Sequence, residues 1–419
     1  MNRRLFLNLL SLSGASMLLP RLARAASLEQ PDSYFVMIRM AGGWDVTLGL
    51  DPKIHGADDD QDDMFIEYKP QEILKAGNLS FGPAMKSLIP FGSSLSVVNG
   101  LITATTDNGH AANLEYMSSG NGSGKAPYIP AEIAASSKAG SLGLIFSGQT
   151  NVLDRNLTTT STSNLEALKN SLALGDFSNL IAQGGLKDSY FQAEQAMLGD
   201  SKRLSDLNQK MKDSGYETET DPTKRAAKIL SAAFASQTAY QGQIDISAGG
   251  NFDSHAGHEV THLAAQTTGW NSVAAIFDIF KATQIGSTGT SLYDQTTFMV
   301  ISEFSRTPAL NGAKGKDHNP LTNSVLLAGG GIVGGVTFGS SHLITRKKTT
   351  SGMSSHTALP VNIVTGVAAK SRAEVDAGGF QYLTPETLVA TVARTQNVDW
   401  VKFRSVGQST PFISSLLKP

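Results

Sequence analysis

The run Tyr34-Phe35-Val36-Met37-Ile38-Arg39-Met40 limits the fold more than any other stretch, because it is almost wholly apolar or aromatic and stops at Ala41-Gly42-Gly43. Such a run reads as a strand buried on both faces, and the glycines mark where its carboxyl end opens into a loop. Comparable runs at Ser94 to Val98, Thr297 to Ser302 and Ser324 to Ala328 are separated by helical stretches. The pattern predicts an α/β fold, a mainly parallel sheet with helices on both faces, in which ligands bind beyond the carboxyl ends of the strands. Lys187 to Met211 and Pro222 to Tyr240 are rich in Ala, Gln, Lys and Leu and predict a helical layer or small cap. The polar segment Asp213 to Asp221 joins them. Gly148 to Asn164 and Thr345 to Ser355 read as surface loops or insertions.

Composition removes several classes. The 419 residues hold no cysteine, so disulfides are excluded, and 17% charged residues with 41 glycines fit neither a coiled coil nor a charge-rich disordered chain. Lys and Arg total 34 against 36 Asp and Glu, which gives nucleic acid no net attraction. The first residues read as an address. Arg3-Arg4 precedes Leu5-Phe6-Leu7, an uncharged stretch to Leu19, Pro20 and the small-residue pattern Ala23-Arg24-Ala25. The stretch is shorter than the ~20 apolar residues a spanning helix needs. The order predicts a cleaved signal at residues 1–25, with the arginine pair pointing to the twin-arginine export machinery and to a periplasmic or secreted protein. Loss of its four arginines leaves 30 basic side chains against 36 acidic ones.

Three glycine-bearing pieces carry hard oxygen and imidazole donors: Gly42-Gly43-Trp44-Asp45, Asn251-Phe252-Asp253-Ser254-His255-Ala256-Gly257-His258, and Lys316-Asp317-His318-Asn319. Taken singly, each His reads as a loop or cap group and each Asp as an Asx-turn. Three such loops in one chain suggest one or two divalent ions (zinc, manganese or calcium), because a cation removes the repulsion between gathered carboxylates. His258-Glu259-Val260-Thr261-His262 also fits H-E-x-x-H, which on a helix would be a zinc protease motif with Glu259 as base. In Ser302-Glu303-Phe304-Ser305-Arg306-Thr307-Pro308 an apolar strand opens into two charged groups. Glu303 there is placed to ligate an ion or orient a ligand and Arg306 to hold an anionic substrate oxygen, or the two pair and fix the loop.

With Ile38 to Asp45, Phe252 to His255, Ser302 to Thr307, Asp317-His318 and Gly329 to Gly335 in this order behind a twin-arginine-like leader, the chain resembles a bacterial family of exported proteins classed as a domain of unknown function. That family looks like a distant branch of the alkaline phosphatase and sulfatase superfamily. The resemblance implies a single alkaline-phosphatase-like α/β domain at 26–419 with a helical layer at about 187–240, and a small anionic ester as substrate. It implies that Asp45, Asp317 and His318 surround one ion and Asp253 with His255 or His258 the other, with His342 or His356 as a late ligand. One segment departs from the pattern. Asp107-Asn108-Gly109-His110 stands where the family usually has Arg-Ser-His, so Gly109 supplies no hydroxyl for attack. Attack would then come from Thr47, Thr105, Thr106 or a metal-bound water, with His110 as general acid or oxyanion-stabilising group.

Overall fold

A computed structural model describes residues 33–56, 58–60, 66, 68–104, 109–123, 126–136, 140, 142–152, 157–166, 202–246, 252–286, 289–348, 352–398 and 410–418. The leader at 1–25, Thr105, Thr106 and the first part of the expected helical layer lie outside them.

The strands are β1 (Tyr34–Arg39), β2 (Leu95–Asn99), β3 (Leu144–Phe146), β4 (Thr159–Ser161), β5 (Gln241–Asp245), β6 (Thr296–Ile301), β7 (Ser324–Gly329) and β8 (Val336–Gly339). They form one eight-stranded sheet in the order β8-β2-β7-β6-β1-β5-β3-β4. β1 pairs in parallel with β6 and β5, and β3 joins β5 to β4 in parallel. Only β7 runs the other way, antiparallel to both β6 and β2, while β8 is parallel to β2. The carboxyl ends of β1, β2, β5 and β6 and the amino end of β7 therefore lie along one edge.

The strand alternation sorts side chains between two cores. Tyr34, Val36 and Ile38 of β1 join Phe298 and Val300 of β6 on one face, packed with Trp270, Phe277 and Phe280 of α4 (His258–Ala282) and Ile229 and Leu230 of α3 (Pro222–Ala235). Phe35, Met37, Met299 and Ile301 point the other way, toward α1 (His110–Ser119), α2 (Ile129–Ser136) and α5 (Pro385–Thr395). Leu207 and Met211, from the helix at 202–213, lie in the first core, so this part of the expected helical layer covers the sheet. Among the described residues no helix is long and apolar enough to cross a membrane.

Local chemistry sets the helix ends. Asp221 caps α3 by accepting from the Thr223 and Lys224 amides, with Pro222 in the first turn. That helix stops at Ala235 rather than running to Tyr240. Ser236 and Thr238 hydroxyls both donate to the Ala233 carbonyl, Gln237 takes a φ of 57°, and the Tyr240 carbonyl accepts from Phe35 at the start of the sheet.

Candidate metal centre and the buried network beside it

The loops at the sheet edge build two polar centres, one open and one sealed. His110 opens α1 directly after Gly109, and its Nδ1 lies 2.6 Å from Glu303 Oε1. Glu303 follows β6, is fully buried, and also accepts from the Gly42 amide at 2.7 Å and the Ser302 hydroxyl at 2.9 Å. The other ring nitrogen of His110 is buried, makes no hydrogen bond, and stands 3.3 Å from Asp253 Oδ1. His255 Nε2 lies 3.2 Å from the same oxygen and 2.9 Å from His318 Nε2, while its Nδ1 meets Asp317 Oδ1 at 2.8 Å. One donor atom from each of His110, Asp253, His255 and His318 falls within 4.8 Å of every other, the only such group of His, Cys, Asp and Glu among the described residues. Phe304 packs against the rings of His110 and His318 as an apolar wall.

This donor set fits a divalent ion. Three imidazoles and a carboxylate suit zinc or manganese. Two of the imidazoles have their far nitrogen held by a carboxylate, Glu303 for His110 and Asp317 for His255, which is how outer-shell groups orient metal-binding histidines. The facing nitrogens of His255 and His318 require a proton or a cation between them. The Glu303 bond raises the His110 pKa above its ordinary value, against the opposing effect of partial burial. Partial burial would raise the Asp253 carboxyl, but the Arg306 bond and the nearby His110 outweigh it and lower it.

The second centre is closed to solvent. Asp45 caps the short turn Val46–Leu48, with Oδ1 accepting from the Thr47 amide at 2.9 Å and the Thr47 hydroxyl at 2.7 Å. Its Oδ2 lies 2.6 Å from Lys316 Nζ and 3.3 Å from His258 Nε2. His258 and His262 stack with ring centroids 4.2 Å apart, and both Nδ1 atoms meet the Ser254 hydroxyl, at 2.6 and 2.9 Å. The proton pattern follows from the donors. The Asp45 amide is shared between His262 Nε2 at 3.0 Å and Gln266 Oε1 at 3.2 Å, and His262 Nε2 lies 3.1 Å from the same Gln266 oxygen; in the tautomer whose Nε2 accepts from Asp45, the His262 proton is on Nδ1 and goes to Ser254. Ser254 then donates to His258 Nδ1, which leaves the His258 Nε2 proton facing Asp45. Burial would raise the Asp45 carboxyl, yet Lys316, aided by His258, holds it well below the usual carboxylate range.

The grouping differs from the one implied by the resemblance. Asp45 and His258 belong to the sealed network, not to an ion shared with Asp317, His318 or Asp253, and Asp317 stands behind His255. His258 and His262 do share a helix face, as their spacing predicts. Their ring nitrogens, however, are directed at Ser254 and Asp45 in the interior, so the protease arrangement is absent. Thr47 is buried with its hydroxyl committed to Asp45, which removes it as a nucleophile. Arg306 is buried as well. Nε donates to the Gly43 carbonyl at 2.9 Å, Nη1 to Lys316 at 3.0 Å, and Nη2 to Gly42 at 2.5 Å and Asp253 at 2.8 Å, so its fork fixes loops and does not pair with Glu303. His356 is buried against Ser341, and His342 lies on a surface ribbon; neither joins the cluster. The role of Lys316 had no sequence signal beyond a cation among glycines next to Asp317.

The backbone separates the two centres. Segments 253–258 and 313–318 run side by side, with the Lys316 amide donating to the Ser254 carbonyl at 3.0 Å and the His258 amide to Lys314 at 2.8 Å. Asp253 and His255 face the cluster while Ser254 faces inward; Lys316 faces inward while Asp317 and His318 face outward. Gly315 permits the approach, because a Cβ there would lie 2.0 Å from the His255 carbonyl.

The profile of a family described as "Protein of unknown function (DUF1501)" matches residues 153–363, about half of the chain. No curated protein matches. Among solved structures, the lipoteichoic acid synthase LtaP from Listeria monocytogenes is 8% identical, with 90% of this chain and 78% of that chain covered and a TM-score of 0.39. A 2-O GAG sulfatase is 9% identical, covering 91% and 73%, with a TM-score of 0.37. A protein of the alkaline phosphatase superfamily from Vibrio parahaemolyticus is 10% identical, covering 77% and 70%, with a TM-score of 0.31. All three TM-scores fall below 0.5.

The sealed network makes stability depend on pH. Burial, followed by the Lys316 charge, lowers His258 from 6.5 to about 4. The unfolded chain thus takes up a proton on this ring that the folded chain refuses, and the contribution is complete above pH 6.5 and lost as pH falls toward 4. At 1.36 kcal/mol per pKa unit this is on the order of 3 kcal/mol. Urea unfolding across that range is expected to show the parent losing about 3 kcal/mol more than His258→Gln; parallel curves for the two proteins would rule this out.

Proposed function

The chain belongs to the family described as protein of unknown function (DUF1501), and on that premise we propose that it is an exported, metal-dependent hydrolase of phosphate or sulfate esters. The observation that carries the reading is the convergence of His110, Asp253, His255 and His318 from three segments far apart in the sequence, Asp253 and His255 sharing one loop. A zinc or manganese ion held by these residues would polarise a phosphoryl or sulfuryl oxygen of the substrate.

The chain's own groups then have separate tasks. Glu303 holds His110 in position by the Nδ1 bond, and Asp317 does the same for His255. Arg306 fixes Asp253 and the glycine loop from below. Phe304 keeps one wall apolar. Gly109 carries no hydroxyl and Thr47 is committed to Asp45, which leaves water, Thr105 or Thr106 to supply the attacking oxygen.

Gly109 also favours a second reading, ligand binding without turnover on the same scaffold. Turnover separates the two. The purified protein is expected to carry a divalent ion and to cleave aryl phosphate or aryl sulfate after reconstitution with zinc, manganese or calcium. His318→Ala should abolish both properties, and Glu303→Gln should weaken metal affinity by about 10–100-fold. Metal binding with no cleavage of either ester would support the second reading, and protein that takes up none of the three ions would end the first.

Export is proposed from Arg3 and Arg4 and the pattern that follows them. Replacing both by lysine is expected to leave the precursor in the cytoplasm of a bacterial host; undiminished appearance of processed protein outside it would refute twin-arginine transport.

A further inference from the structure

Asp45 stands at the loop after β1, where the resemblance places a ligand for one of two ions. Its surroundings are those of a cation site: the carboxylate, His258 Nε2 at 3.3 Å from Oδ2, and His262 stacked behind. The cation present is an ammonium. Lys316 Nζ lies 2.6 Å from Asp45 Oδ2, and the two side chains are 0% and 1% exposed. Oδ1 is occupied by Thr47, so an ion at Asp45 would have to displace Lys316 or share a sealed, weakly screened space with it. At the open cluster the cation beside the carboxylate is the Arg306 guanidinium, 2.8 Å from Asp253 Oδ1, and Asp253 with three imidazoles still presents four mutually close donor atoms on a partly exposed face.

We infer that the Lys316 ammonium takes the place of a second metal ion at Asp45, so that this protein works with a single divalent ion, held at His110, Asp253, His255 and His318. This rests on the metal-binding reading above and adds to it the number of ions. Lys316 is a positioning residue. It neutralises the carboxylate that caps the turn after the glycine loop, and its backbone begins the segment that carries His318 to the cluster.

Zinc titration followed by native mass spectrometry and calorimetry tests the count. The parent protein is expected to hold one zinc ion per chain. Lys316→Ala leaves Asp45 Oδ2 and His258 Nε2 facing the space vacated by the side chain, where water can complete the coordination of an ion, and is expected to hold two. Its thermal midpoint, lowered in chelator, should rise with zinc by more than the parent's does. The double variant Asp45→Asn/Lys316→Met removes both charges and should hold one. Two ions in the parent would overturn the inference. So would a Lys316→Ala protein that holds one ion, gains no extra thermal protection, or stays unfolded in zinc. A parent protein that binds no zinc, manganese or calcium would instead overturn the metal-binding reading, a result distinct from a count of two.

Discussion

The buried guanidinium of Arg306 is the tie on which the site depends. Its donors reach the carbonyls of Gly42 and Gly43 after β1, the carbonyl of Lys316 and the carboxylate of Asp253. These groups come from three segments far apart in the sequence, and a planar fork with fixed donor directions can serve all of them at once. The glycine loop approaches closely because Gly43 has a φ of +72° and no Cβ, which would otherwise stand 2.4 Å from the Phe304 ring. Phe304 and Arg306 belong to one short segment after β6, so that segment positions both the wall and the tie.

Around Arg306 the charges are arranged in two ways. Asp45 and Lys316 neutralise each other in a closed network whose imidazoles burial keeps uncharged. On the open side, Asp253 faces two imidazoles, and the carboxylates of Glu303 and Asp317 hold the far nitrogens of those rings. Arg306 answers the charge of Asp253 from below, while Glu303 and Asp317 leave further negative charge that a cation among the imidazoles would answer; the first centre is already complete. Along 253–255 the difference arises from alternation, which turns Ser254 inward between Asp253 and His255; on the adjacent segment Lys316 turns inward while the next two residues, Asp317 and His318, both meet His255 on the open side.

Much of the fold was legible in the sequence because its central strands are continuous apolar runs: β1, β2, β6 and β7 all fall within a residue of their expected ends. β5 was not, since Gln241-Gly242-Gln243-Ile244-Asp245 is mostly polar; Arg39 on β1 bonds Asp245 at 2.7 Å inside the sheet, a pairing that periodicity cannot register. β3 and β4 are three residues each and too short to carry a pattern. The Asp- and His-bearing loops were recognisable as a set, but their division into two centres was not. Whether Asp45 meets Lys316 or an ion depends on side-chain direction in the folded loops, and His258 and His262 keep the spacing of a metal motif while their nitrogens serve Ser254 and Asp45.

Diffraction from crystals of the zinc-loaded protein, with anomalous data collected on both sides of the zinc absorption edge, tests the central claim most directly. The account predicts one anomalous peak among His110 Nε2, Asp253 Oδ1 and the facing Nε2 atoms of His255 and His318, with Lys316 still bonded to Asp45. A peak at Asp45 in place of the Lys316 ammonium, or no peak at the four-residue cluster, would contradict it.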